Sequence, residues 1–184
     1  MEGQRPTRED LVAAAGHTVP DVIAPQLDVL FCGINPGLWS AAVGHHFARP
    51  GNRFWKVLFG AGFCEQVISP SDERLLLDLG LGITNLVPRS TATAAELGKA
   101  ELREGAERLA KTVAQWQPRF VAFVGMGAFR TAFTQPNAGL GEQPALLAGA
   151  RVWLLPNPSG LQARYQLDDL VKAFRQLREA IRQE

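Results

Sequence analysis

Cysteine is scarce in this 184-residue, 20.0 kDa chain, which holds only Cys32 and Cys64. Two thiols cannot complete a four-cysteine zinc or iron–sulfur centre within one chain. Such sparse usage suits a reducing compartment. Histidine is nearly as rare, with three residues, two of them adjacent at His45-His46. A metal set would need distant recruits, and there is no aspartate cluster of the kind a calcium-dependent nucleoside hydrolase needs. A Walker-type Gly-Lys-Ser/Thr is absent, and Gly125-Met126-Gly127 lacks the third glycine of a dinucleotide fingerprint because Arg130 occupies its place. No window approaches the roughly 18 uninterrupted apolar residues of a membrane helix, and Met1 to Pro6 is polar. Neither a membrane association nor a secretory leader is expected, and the expected location is cytoplasmic, beside the nucleoid. Nor does one sign of charge dominate, with 19 Lys+Arg against 18 Asp+Glu.

What is present is an ordinary globular composition, 46% hydrophobic and 20% charged. Residues 1–21 read as a polar lead-in and 22–184 as a single domain. The charge is unevenly placed: 29–64 carries Arg49, Arg53 and Lys56 without an acid, and 143–167 carries Arg151 and Arg164 without one. These stretches are either core-rich or a local positive face for an anion.

Compact apolar runs ending at glycine or proline predict buried strands over Leu27–Gly33, Gly82–Val87, Arg119–Gly125 and Arg151–Leu155. Helical spacing predicts helices over Arg8–Ala15, Asn52–Gly60 with Asn52 as cap, Ser71–Leu79, Lys99–Trp116 and Leu167–Ile181. Glu104–Arg108 and Glu107–Lys111 are placed to pair along the fourth of these. Gly125-Met126-Gly127 reads as a tight strand-to-helix turn, and Cys32 and Cys64 as core thiols. Alternating strands and helices predict an α/β fold, a three-layer αβα sandwich around a central, mostly parallel sheet. Ligands of such folds sit beyond the carboxyl ends of the strands. Two stiff polar turns fall there: Gly33-Ile34-Asn35-Pro36-Gly37 and Pro156-Asn157-Pro158-Ser159-Gly160.

Four collinear segments carry a resemblance: Gly33–Gly37, Gly44–Lys56, Gly82–Val87 and Asn157–Leu161. Together they resemble the mismatch-specific uracil/thymine-DNA glycosylases, over roughly Val22 to Leu177. The resemblance implies a uracil-DNA-glycosylase-like fold and hydrolysis of the N-glycosidic bond of uracil, or of thymine or another damaged base, opposite guanine. It implies no cofactor and no metal, an abasic product, and no cut strand. The implied partner is double-stranded DNA holding G·U or a related mismatch, bound by a monomer, with abasic-site repair enzymes downstream.

Residue by residue, Asn35 matches the family's catalytic asparagine, Phe47 the aromatic that stacks on the flipped base, and Asn157 the first residue of the second motif. Ile34 lies in the same pocket-forming turn. Gly160 and Leu161 match the wedge that fills the gap and meets the widowed guanine. Arg164 follows one residue later than the family's wedge arginine, so it serves as wedge or as a phosphate contact. Asn85 falls where the thymine-processing branch carries asparagine, and reads either as a pocket-edge residue or as a strand-end amide. Gly44-His45-His46 looks like that branch, whereas Phe47 and the compact length look bacterial. Trp39, beside the first turn, is placed either to narrow the pocket or to cap it. Two alternatives remain beside the mismatch glycosylase: a broad uracil glycosylase acting also on A·U and single strands, and a non-catalytic lesion-binding module.

Overall fold

The computed structural model describes residues 5–160 and 164–183. Its strands are β1 (Val29–Gly33), β2 (Leu81–Asn85), β3 (Phe120–Val124), β4 (Gly141–Glu142) and β5 (Arg151–Leu155). They form one sheet in the order β2-β1-β3-β5-β4, parallel throughout except for the two-residue edge strand β4. The helices are α1 (Arg8–Ala13), α2 (Leu38–Val43), α3 (Phe54–Gly60), α4 (Lys99–Trp116), α5 (Met126–Ala132) and α6 (Leu167–Arg182), with 3-10 turns at Pro70–Leu79 and Ala94–Glu96.

Strand periodicity builds two cores. Every residue of β1 and β3 is buried, as expected of strands covered on both faces. Phe120, Ala122 and Val124 face α3 and α6, where they join Phe54, Leu58, Leu170 and Phe174. The alternate residues Val121 and Phe123 face α4, meeting Leu102, Leu109 and Val113. The result is the expected three-layer αβα sandwich. A fully buried phenylalanine such as Phe31 contributes about 1.5–3 kcal/mol. Phe31 also meets Phe54 edge-on, with ring centroids 5.5 Å apart.

Several local expectations are corrected. The segment before β2 is 3-10 rather than α-helical, with non-helical backbone angles at Asp72. The second strand runs Leu81–Asn85 and not to Val87. Helix α3 opens at Phe54, whose N–H donates to Asn52 Oδ1 at 3.0 Å, with Arg53 as the cap residue. Arg108 does not depend on Glu104: its guanidinium donates to the carbonyls of Asn85 and Leu86 at the end of β2. The short helix α2 and the strand β4 carried no periodic signal. Burial raises the thiol of Cys32 far above its ordinary range and pushes up that of half-buried Cys64, so both are poor thiolates.

Two features aim the fold at one edge. Strand β1 has β2 on one side and β3 on the other, so the chain order reverses beside the turn that follows β1. The N-terminal residues are strapped to β2 and to the segment after it, with Val22 bridged to Ile83, Gly16 N–H on the Ser90 carbonyl, and Ser90 N–H on the His17 carbonyl. Among the described residues no helix is long and apolar enough to cross a membrane.

Candidate active site

Both polar turns reach the carboxyl edge of the sheet, where they border two adjoining cavities. One, of about 360 Å³, is lined by Asn35, His46, Phe47, Asn85, Thr91 and Asn157, among others. The other, of about 370 Å³, lies over the end of β3 and includes Gly125, Met126 and Arg164. Ile34 and Asn157 line both.

The orientation of Asn35 follows from its partners. Its Nδ2 donates to the Arg89 carbonyl at 2.9 Å and to Thr91 Oγ1 at 2.8 Å. The Thr91 hydroxyl proton is committed to the Thr93 carbonyl, so Oγ1 meets Asn35 as an acceptor. With both amide protons taken, Oδ1 is the atom left over. Thr91 itself is buried and tied by its N–H to the Pro36 carbonyl. Sequence motifs do not single it out, because its role depends on two loops meeting. Thr91→Val keeps the shape and removes the acceptor, and should lower single-turnover excision about 3- to 10-fold with little change in melting temperature.

Asn157 is oriented the opposite way. Its Oδ1 accepts the Ser159 N–H at 2.9 Å, which leaves Nδ2 as the donor. The two asparagines therefore present one acceptor and one donor beside the same space.

Phe47 holds a left-handed backbone with φ of 51°, a costly conformation for a bulky residue. Its ring stacks on buried Phe54 at 4.1 Å and 22°, and it lines the cavity. Gly33 keeps this corner open. A Cβ there would lie 2.7 Å from Asn85 Oδ1 and 3.3 Å from the Phe47 ring. Asn85 pairs with Gly33 in register and so reaches the cavity edge from β2.

The second turn is locked to the first half of the chain. Arg53 donates through Nε to the Pro158 carbonyl, through Nη1 to Tyr165 and through Nη2 to Ser159, at 3.2, 2.6 and 3.0 Å. Gly160 packs so closely on Gly51 that a Cβ would lie 2.6 Å from the Gly51 carbonyl oxygen. The acid-free stretches thus hold cations that serve the protein itself: Arg53 clamps this turn, and Arg151 pairs with Glu142. Arg164 is exposed, lies 5.7 Å from the Tyr165 ring centre and lines the second cavity rather than the first. Trp39 sits half-buried on α2 and is not part of the wall of the first cavity. Leu161 lies outside the described residues.

His45 and His46 converge on Glu73. Glu73 Oε2 receives both the His46 N–H at 2.8 Å and His46 Nδ1 at 2.9 Å, while Oε1 lies 3.1 Å from His45 Nδ1. Burial works to raise the Glu73 carboxyl, but the hydrogen bonds from His46 outweigh it and hold the group below its ordinary 4.5. A depressed carboxyl leaves the unfolded chain binding more protons, so stability rises with pH. The contribution is complete above about pH 5 and disappears as pH falls through the folded value. Urea titrations should therefore find wild type more stable than Glu73→Gln at pH 7, with the gap closing toward pH 3. Glu73 escaped the sequence reading because its partners lie 27 and 28 positions away.

The chain is an open αβα sheet of the class whose ligands bind beyond the carboxyl ends of the strands at the switch point, where the two asparagine turns lie. The model of the uracil DNA glycosylase superfamily matches residues 20–182, and the chain belongs to that superfamily. Its structure is similar to the solution NMR structure of a Methanosarcina acetivorans protein provisionally described as a uracil DNA glycosylase. The TM-score is 0.61 at 17% identity, over 89% of this chain and 98% of that one. At that identity the likeness speaks for the fold.

Proposed function

We propose that this protein is a monofunctional, mismatch-directed uracil-DNA glycosylase that hydrolyses the N-glycosidic bond of uracil opposite guanine. The observation that carries this reading is the double restraint on Asn35 Nδ2, which leaves Oδ1 as the acceptor that this reading gives to the attacking water. A base inside a duplex must be extruded before its sugar carbon can be attacked, and a weak mispair lowers that cost. In this reading Phe47, backed by Phe54, stacks on the extruded base, a contact worth about 1–3 kcal/mol. Asn157 donates Nδ2–H to a base carbonyl, and Asn85 and Ile34 border the same space.

Bond breaking gives an oxocarbenium-like sugar and a uracil anion. Water held by Asn35 adds to C1′ and gives up its proton to solvent, since an amide is not a base at neutral pH. Uracil leaves as a stabilised anion, so orientation of the water suffices where a poorer leaving group would need stronger assistance. The Asn157–Gly160 turn, pinned by Arg53 and Gly51, is the natural wedge toward the unpaired guanine, with Leu161 next in sequence. Arg164, on the neighbouring cavity, is better placed for a phosphate.

The test is alkaline cleavage of G·U, A·U and single-stranded uracil oligonucleotides incubated with the protein. Breaks concentrated in G·U support the proposal. Equal breaks in all three would make it a broad uracil glycosylase, and binding to G·U without breaks a lesion-binding module.

A further inference from the structure

His46 is 97% buried in effect, with 3% of its surface exposed, and its Nε2 has no hydrogen-bond partner among the described residues. The residue lines the cavity that holds Asn35, Phe47 and Asn157. Because Nδ1 is taken up by the Glu73 carboxylate, Nε2 is its remaining polar atom. Buried nitrogen atoms are rarely left unsatisfied without a reason. A stranded N–H is rarer than a stranded lone pair. The carboxylate requires a proton on Nδ1, and a neutral ring then carries a bare lone pair on Nε2.

We infer that Glu73 and His46 form a base-reading pair: Glu73 fixes the tautomer, and His46 Nε2 accepts the imide N–H of the extruded base. This inference rests on the glycosylase reading of the cavity and adds a specificity device to it. The ligand class is an imide-bearing base, of which uracil and thymine are the pyrimidine examples. Cytosine presents a lone pair at N3, so it would set lone pair against lone pair and leave Nε2 unpaired. Rejection by an unmatched buried polar group is stronger than rejection by shape alone. The imide proton stays on the base as it departs, so the contact acts about equally on substrate and transition state. Its loss should weaken binding and leave the chemical step nearly untouched.

His46 is the specificity residue here, and Glu73 acts through it as a positioning residue. The charged and titratable groups around the ring are Glu73 on the 3-10 segment, His45 beside it on the same carboxylate, the Asp21 carboxylate within electrostatic reach, and Arg49 on the cavity wall.

The tests are single-turnover excision from G·U and from G opposite 3-methyluracil, which lacks the imide proton, together with ¹⁵N NMR of the histidine rings. In free wild-type protein near pH 7.5, His46 should show a protonated Nδ1 and an unprotonated Nε2; the reverse tautomer overturns the inference without reference to activity. His46→Ala should raise the half-saturating concentration on G·U about 2- to 10-fold, keep the maximal rate within about twofold, and shrink the preference for uracil over 3-methyluracil. Glu73→Ala should move in the same direction, and Glu73→Gln, which keeps an acceptor for Nδ1, should recover much of the loss. Thermal melting identifies variants that fold. Unchanged base preference in a folded His46→Ala overturns the pair. Failure of wild type to cleave G·U would instead overturn the glycosylase reading, with the tautomer result still standing on its own.

Discussion

Replacing Asn35 by alanine should reduce single-turnover excision of uracil from a G·U duplex by at least about 10²-fold. Binding of the same duplex should stay within about threefold. The separation follows from geometry. Both Asn35 amide protons bond inside the protein, to Arg89 and Thr91, so the side chain owes little of its placement to DNA. What alanine removes is the Oδ1 proposed to hold water. The measurement pairs alkaline strand cleavage with fluorescence anisotropy. Parallel loss of binding and cleavage would show that Asn35 shapes the turn rather than orienting the nucleophile. Asn35→Asp is a useful companion: two oxygens cannot donate to the Arg89 carbonyl, so the side chain should tilt away and recover little activity.

Arg53→Ala should be the most destabilising of the surface-accessible substitutions around the site. Three carbonyls of the second turn and its continuation lose a charged donor at once. Bonds to a charged partner contribute about 1.5–3 kcal/mol each, and partial relaxation of the loop reduces the total. A loss of about 2–5 kcal/mol is expected, which for a chain of this size lowers the melting temperature by about 5–15 °C. Excision should fall at least about tenfold, since the turn carries Asn157 and Gly160. Arg53→Lys should rescue little, because an ammonium on a flexible stem cannot reproduce a planar fork aimed at three acceptors. Differential scanning fluorimetry and cleavage assays read both effects. If Arg53→Ala melts like wild type but loses affinity steeply with salt, the guanidinium serves DNA rather than the turn.

The fates of Arg53 and Arg49 show why charge patterning alone was ambiguous. Both stand in an acid-free stretch, yet one is consumed by carbonyls over 100 positions away and the other is exposed on the cavity wall. A net charge along the chain does not record which donors are already satisfied. The same limit applies to Glu73, which looks like a solvated helix residue but lies 5% exposed beneath two histidines. It applies again to Arg108, whose i,i+4 partner is passed over for backbone carbonyls at the end of β2.

The parts of this protein that its sequence determined by itself are those governed by periods and local chemistry. Five-residue apolar runs specified β1, β3 and β5, the 3.6-residue period specified α4 and α6, and their alternation specified a parallel sheet with two covered faces. The two Asn-Pro turns, lying after strands of a parallel sheet, fall by sequence at its carboxyl edge, where the proposed site lies. Tertiary structure alone decided which atom each asparagine offers, because Arg89, Thr91 and Ser159 set the amides by hydrogen bonds. It also decided that the two turns touch at Gly51 and Gly160, that Phe54 backs Phe47, and that Glu73 reaches His46. Hydrophobic periods repeat along the chain and can be read one segment at a time. Hydrogen-bond partners depend on distances between segments far apart in sequence, and those distances exist only once the sheet has brought the loops together.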